Sequence, residues 1–490
     1  MEEESRTLQE KDQEIASLKK QLEQRDERIK QLEELISQLS GEVKGLQEQQ
    51  AKNSSNSSLP PSSDRFGRQK KTRSLREKSG KPSGGQVGHR GHTLSMSPTP
   101  DEVISLPSVT QCQHCQGDLS TVVSKTIERR QVIDVPQPRL EIREYQGEWK
   151  QCPLCEQLTA ATFPAEAKAC TQFGPRLGAI AVYLMTQQLL PLGRTKETLN
   201  DLFGIALSEG TLVRLQARAA RILQPIEEQT KAALIAQEVL HQDESGLYVQ
   251  GQRWWVHVTC TALLTHYAAH PSRGQDALKA IGILPNFSGT SIHDGWQTYF
   301  LFLCQHALCG VHLLRDLTFL AQEQGLLWAH KLRKLLLDMR DLTSTARAEG
   351  QSTLPATVIA DWTTRYEQLL VQAEALHPRT LAPPGQKKPG KVKQSAARNL
   401  LDRLHSYQDA VLAFLSDLAV DFDNNQAERD VRMIKVQQKV SGTFRSVAGA
   451  IHFLRIRGYL STLRKQGISQ FSALEATLRG QPILPSFKAT

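Results

Sequence analysis

No uninterrupted apolar run of bilayer length occurs in the 490 residues, so the sequence offers no membrane span. The N-terminus, MEEESRTLQE, is acidic rather than basic and apolar, and lacks the pattern of a secretory leader. Acids are also in deficit: 51 Asp and Glu face 60 Lys and Arg, a formal net charge of +9. That excess points to a polyanionic partner, because Lys and Arg neutralise phosphate and release its counterions. With no membrane segment to favour lipid, nucleic acid is the expected polyanion and the protein is expected to be soluble and intracellular.

Cysteine is sparse and not arranged as a secreted disulfide framework. Four of the eight form two CxxC pairs, Cys112/Cys115 and Cys152/Cys155, a pattern that in a large unsecreted chain suggests metal ligation. Two such knuckles with strand-like sequence between them, including Glu141 to Trp149, read as a structural zinc ribbon over residues 101–168, four thiolates closing a tetrahedral site. Cys170, Cys260, Cys304 and Cys309 lie mostly in apolar sequence and read as buried small hydrophobes.

The first fifty residues carry a heptad repeat. Leu8, Ile15, Leu22, Ile29, Ile36 and Val43 recur every seven residues, with Leu18, Leu32, Leu39 and Leu46 at the complementary positions. Residues 1–50 are therefore expected to form a parallel two-stranded coiled coil that makes a homodimer. Residues 51–100 read as a flexible basic linker. It opens with NSSNSSLPPSSD, too poor in apolar residues to fold alone. It continues through Arg65, Arg68, Lys70, Lys71, Arg73 and Arg76, an arm able to follow a DNA backbone.

Residues 169–235 read as a helical, helix-turn-helix-like DNA-binding domain: one helix to Phe203, a turn at Gly204, and a second helix capped near Ser208 that carries Arg214 and Arg218. The composition then turns to strands, Glu238–Asp243, Arg253–Thr259 and Leu263–Ala269, an antiparallel meander followed by a strand Thr290–Asp294 and a last strand Ala307–Leu314. Residues 236–314 are thus the first part of an α/β domain, 315–420 a helical insertion, and 421–490 the domain's completion.

In that last part, NNQAERDVRMIK opens a helix. Asn425 is expected at its N-cap with Glu428 at N3, so Glu428 reads either as half of a capping box or as a ligand whose helix face also carries Arg432 and Lys435. Asp243 and Asp294 stand at strand ends. Two such carboxylates and a third on a covering helix can hold two magnesium ions for phosphoryl transfer, one activating the attacking oxygen and one stabilising the leaving oxygen. The neighbouring cations Arg429, Arg432 and Lys435 would offset phosphate charge.

NSSNSSLPPSSD, GGQVGHRGH, the CxxC pairs, FGPRLGAIAVYL, LFGIALSEGTL, Asp243-Glu244-Ser245, HDGWQTY and NNQAERDVR together resemble the bacterial insertion-sequence-sixty-six transposases over nearly the whole chain. The resemblance implies a DDE transposase with an RNase H-like catalytic core, its acids at Asp243, Asp294 and Glu428. It also implies magnesium or manganese as cofactor, structural zinc, a leucine zipper, double-stranded DNA (element ends and target) as partner, and a bacterial cytoplasmic, nucleoid-associated location. The sequence departs from the family pattern at Ser245, where Thr is usual, and in VSGTFRS, a loose match to the usual segment. A dimeric DNA-binding regulator derived from a transposase, and a nuclease without strand transfer, are the alternative readings.

Overall fold

In the computed structural model the described residues are 2–51, 88, 91, 94–136, 138–164, 166–381 and 392–488. Helix α1, Glu2–Ala51, runs 50 residues without a break. Its heptad residues from Leu18 to Leu46 stand open in the single chain, Leu22 and Ile36 each 63% exposed. The basic arm from Arg65 to Arg76 lies outside the described residues. No described helix is long and apolar enough to cross a membrane.

From residue 94 to residue 174 not one described residue is buried. The pairing there is slight: β1 (Trp149–Gln151) and β2 (Leu158–Ala160) form an antiparallel ladder around the second CxxC knuckle. The strand expected from Glu141 therefore begins only at Trp149; residues 141–148 are not in a ladder.

Helices α2 (Pro175–Thr186), α3 (Leu192–Phe203) and α4 (Glu209–Ile235) follow. Helix α3 ends where the sequence expects, on Gly204 at φ 65°, a left-handed conformation that glycine adopts without a Cβ clash. Helix α4 begins at the expected cap, with the Ser208 side chain accepting from the Thr211 N–H.

The chain then builds a mixed sheet. Strands β3 (Val239–Val249), β4 (Gln252–Cys260) and β5 (Thr265–His270) form the antiparallel meander. The β3–β4 turn places Gln250 and Gly251 both at positive φ, 53° and 75°, the twist-matched geometry of a two-residue hairpin. After α5 (Gln275–Ile281), β6 (Thr290–His293) returns parallel to β3, and β7 (Gln305–Leu308) lies parallel to β6. The order is β5-β4-β3-β6-β7, with β3 in the middle.

Strand β7 stops at Leu308 rather than Leu314, because α6 (Gly310–Glu323) begins there. The Cys309 N–H bonds the His293 carbonyl at 2.9 Å and the Gly310 N–H bonds the Phe422 carbonyl at 2.8 Å. A Cβ at 310 would lie 2.3 Å from the Phe422 ring, so only glycine fits that approach. Leu313, Leu314, Leu317 and Leu320 then recur at helical spacing into a core shared with α7 (Leu327–Ala348), α8 (Ala356–Leu376), α9 (Ala396–Ser406) and α10 (Gln408–Ser416). This helical block separates β7 from α11 (Asn425–Ser441), α12 (Val447–Lys465) and α13 (Gln470–Leu478).

Helices α11 and α12 cover one face of the sheet. Ala427, Val431 and Ile434 of α11 and Phe453 and Leu454 of α12 pack with Leu247, Val249, Val256 and Val258. The opposite face packs Leu240 against Leu278, Leu284 and Tyr299. Helices α2, α4, α12 and α13 close a further core around Leu212, Leu223, Leu460 and Leu474. The fold is a mixed α/β structure with a central mixed sheet and many helices.

Candidate active site

Asp243 does not end its strand as expected, because the ladder with β4 carries β3 on to Val249, but strand register sets it level with Asp294. The parallel β3–β6 pairing matches His241 with Ile292, and two residues beyond each lie Asp243 and Asp294. Alternation along β3 decides the faces. Leu247 and Val249 pack under α11, so Asp243, of the same parity, is aimed at the helix that carries Glu428. Glu244 points the other way. Its carboxylate accepts from Tyr299 Oη at 2.5 Å and from Arg273 Nε at 2.9 Å. The Arg273 guanidinium lies over the Trp296 ring, 4.2 Å from its centroid. Glu244 is thereby already paired with side chains, whereas the Asp243 carboxylate accepts from the neighbouring Glu244 N–H.

Asp294 and Glu428 are near enough for their charges to act on Asp243, although the three carboxylates are not gathered within 4.8 Å of one another. Burial pushes the Asp243 carboxyl well above the usual carboxylate range, and the negative charges of Glu244, Asp294 and Glu428 push it further. Asp294 is fixed at the end of β6 by the Trp296 N–H, which donates to its Oδ1 at 2.9 Å. Glu428 comes from the first turns of α11. The expected capping box is absent: the N-cap is Asn424, its side chain makes no cap bond, and Asp423 Oδ1 accepts from the Asn425 N–H instead. Asn424 is turned inward, its Nδ2 donating to the Gln242 carbonyl at 2.6 Å and its Oδ1 3.1 Å from His241 Nδ1. That leaves the Glu428 carboxylate free of the cap. Its Oε1 is buried and has no hydrogen-bond partner.

Beside Glu428 stand two residues that sequence reading missed. The ligand atoms of Cys309, His312 and Glu428 all lie within 4.8 Å of one another, and His312 Nδ1 is 3.8 Å from Glu428 Oε1. The C-x-x-H spacing was available as a signal, but a strand assigned through Leu314 would put these two side chains on opposite faces; on a helix start they share one side.

Of the three cations expected nearby, Lys435 is turned towards β3, where the Asp243 charge acts on it. It is half-buried and donates to the Gly246 carbonyl at 3.3 Å, its pKa lowered by burial and by Arg253 while the Asp243 charge opposes. Arg429 and Arg432 are exposed on the outer side of α11. On α4, Arg214 and Arg218 are also exposed. Arg218 uses one N–H on the Leu478 carbonyl at the end of α13.

The two cysteine knuckles are alike in form. Gln116 and Glu156 close them at φ 58° and 59°, their N–H groups bonding the Cys112 and Cys152 carbonyls. The Cys115 N–H, then that of His114, lowers the Cys112 thiol pKa; the Leu154 N–H, then that of Cys155, lowers that of Cys152. Each knuckle is a thiolate-favouring half-site that fits zinc. The four sulfurs are not gathered together: among the described residues, Cys309, His312 and Glu428 form the one group of three or more such ligand atoms within 4.8 Å.

The class the fold defines is a mixed α/β protein whose central sheet carries Asp243 and Asp294 level on neighbouring parallel strands, one face of it covered by the helix that bears Glu428. A family model described as Transposase IS66 family matches residues 170–452, more than half of the chain, from α2 through the start of α12. The chain belongs to that family. No curated protein matches it.

Proposed function

We propose that the chain is a DDE-type DNA transposase, cleaving the ends of an insertion sequence and joining the freed 3′ hydroxyls to target DNA. The observation that carries this is the β3–β6 register, which sets Asp243 and Asp294 level on neighbouring parallel strands, with Asp243 on the face covered by α11, the helix that bears Glu428. The sheet order, with β3 antiparallel to β4 and parallel to β6, supports an RNase H-like core interrupted by the helices of residues 315–420. The flanking units are read as a coiled coil (1–50), a basic linker (51–100), a zinc ribbon (101–168) and a DNA-binding helical domain (169–235).

The donor set fits a hard divalent ion, since all three side chains offer oxygen. Asp243, Asp294 and Glu428 would hold two magnesium or manganese ions. When bound, such ions activate the attacking oxygen and offset charge on the leaving oxygen. The protein's own contribution is position. Asp243 and Asp294 are held level by the β3–β6 register, Glu428 would reach towards them from α11, and Glu244 is kept apart by Arg273 and Tyr299. Lys435 supplies positive charge beside Asp243, and Arg429 and Arg432 extend it along the exposed side of α11. Arg65, Arg68, Lys70, Lys71, Arg73 and Arg76, with Arg214 and Arg218, are read as DNA-backbone contacts.

Two structural cofactor and partner readings accompany this. Zinc bound by Cys112, Cys115, Cys152 and Cys155 would staple a segment that buries no side chain of its own. A second α1 would cover the open heptad seam and make a homodimer.

The test uses labelled element-end DNA with magnesium. Wild-type protein nicks and joins it, and Asp294→Asn binds the ends without cutting. Cleavage by Asp294→Asn at the wild-type rate refutes the assignment. Precleaved ends that are bound but never joined would identify a nuclease, and binding by wild-type protein with no metal-dependent nicking would identify a regulator.

A further inference from the structure

Cys309 and His312 are not used by the proposed reaction, yet they are built against it. Cys309 is the N-cap of α6 and His312 sits in the first turn, so an i, i+3 spacing brings both side chains to one side of the helix. Cys309 is 1% exposed. Its position is fixed by its own N–H to the His293 carbonyl, one residue before Asp294, and its Sγ accepts from the Asn424 N–H at 3.3 Å. Backbone N–H donation to sulfur is how outer-shell groups commonly orient a metal-binding thiolate. Across from them, His312 Nδ1 and Glu428 Oε1 are both buried without a hydrogen-bond partner, and at 3.8 Å they are too far apart to satisfy each other. Two orphaned donor atoms and a sulfur within 4.8 Å of one another need a common partner.

We infer that Cys309, His312 and Glu428 form a binding site for a borderline-soft divalent cation of the zinc class. Sulfur and imidazole nitrogen select zinc or cadmium over magnesium, which prefers oxygen alone. One thiolate and one carboxylate balance the ion's charge, so the buried site is neutral when filled. A water completes four-coordination. Glu428 then has two faces, a hard one towards Asp243 and Asp294 and a soft one towards α6. An ion on the soft side takes Glu428 from the magnesium pair, which makes the site inhibitory. This last step rests on the proposed catalytic role of Glu428; the zinc site itself does not.

The experiment uses full-length wild-type, Cys309→Ser and His312→Asn proteins, dialysed against zinc in excess magnesium. Zinc on the cysteine knuckles is common to all three and cancels. Wild-type protein should retain about one zinc ion per chain more than either variant. Equal zinc contents overturn the site. Should a variant not fold, cadmium-113 NMR of wild-type protein decides: a resonance of mixed sulfur, nitrogen and oxygen ligation upfield of the all-thiolate one is expected, and its absence overturns the site. In the nicking assay, zinc added over magnesium should slow wild-type protein about tenfold and Cys309→Ser much less. Equal slowing removes the inhibitory role. A wild-type protein that binds the extra zinc but never nicks DNA counts against the transposase reading and leaves the metal site standing.

Discussion

The amide of Asn424 spans the distance between the start of α11 and the middle of β3. It is 1% exposed and reaches both the Gln242 carbonyl and His241, so the height of Glu428 over Asp243 depends on it. Asn424→Ala leaves that carbonyl buried and unpaired and should cost about 1–3 kcal/mol in urea unfolding, with nicking reduced more than end binding. Asp243 acts in the opposite sense. Its carboxyl pKa is raised in the folded state, so the metal-free fold keeps a proton that the unfolded chain releases. Stability is therefore greatest below the unfolded carboxylate value and is lost as pH rises through the folded one. Asp243→Asn should remove this loss. The metal-free variant should then exceed wild type in stability at neutral pH, by about 1.4 kcal/mol for each pH unit separating the folded and unfolded carboxyl values, while magnesium-dependent cleavage is abolished. Thermal unfolding across pH in a chelator checks the first part.

Helix α11 is tied to α12 through its buried face. Lys465 of α12 donates to Asp430 Oδ2 at 2.7 Å and to the carbonyls of Thr261 and Leu264, and both side chains of the ion pair are 11% exposed. Lys465→Met strands the Asp430 charge and should destabilise the protein by about 3–5 kcal/mol in urea unfolding. This element also marks how far the sequence could be read. The apolar spacing of Ala427, Val431 and Ile434 foretold which face of α11 is buried, and the Gly204 and Ser208 signals foretold the ends of α3 and α4, because these are local rules of period and cap. The cap of α11 was misplaced by one residue, since Asn424 and Asn425 are equally good caps locally. What separates them is the distant Gln242 carbonyl, which draws Asn424 inward. The same limit hid Cys309 and His312. The run ALCGVHLL is apolar enough for strand or helix, and the choice is made by Phe422, more than a hundred residues on, closing over Gly310. Asp294 was legible at the end of its strand and Glu428 at a helix start, but Asp243 was expected to end a strand that runs on to Val249; its level with Asp294 depends on pairing β6 with β3, which no local pattern specifies.

Across the whole molecule, stability is unevenly distributed. Residues 94–174 contribute no buried side chain among those described, whereas the sheet, its covering helices and the α6–α10 block contain the cores. Chelation should accordingly loosen the knuckle segment, seen as faster proteolysis there, and leave the main thermal transition nearly unmoved. Acid should act on the core itself. His266, packed between β5 and α4, has its pKa pushed down to about 3 by burial, then by Lys231 and Arg455. Its neighbour Glu227 offers little rescue, because that carboxylate is engaged by Arg455 Nε at 2.6 Å. The folded state thus refuses a proton that the unfolded chain accepts below about pH 6.5. The sign follows: this histidine's share of stability is present above that pH and is lost as pH falls towards 3. His266→Leu cannot take up the proton in either state. Measured as a difference from wild type, its relative stability should improve by about 1.4 kcal/mol for each pH unit below 6.5, whatever the fixed cost of the substitution at pH 7.5. A difference that stays flat from pH 7.5 to pH 5 would mean that His266 is protonated in the fold, with Glu227 turned to meet it.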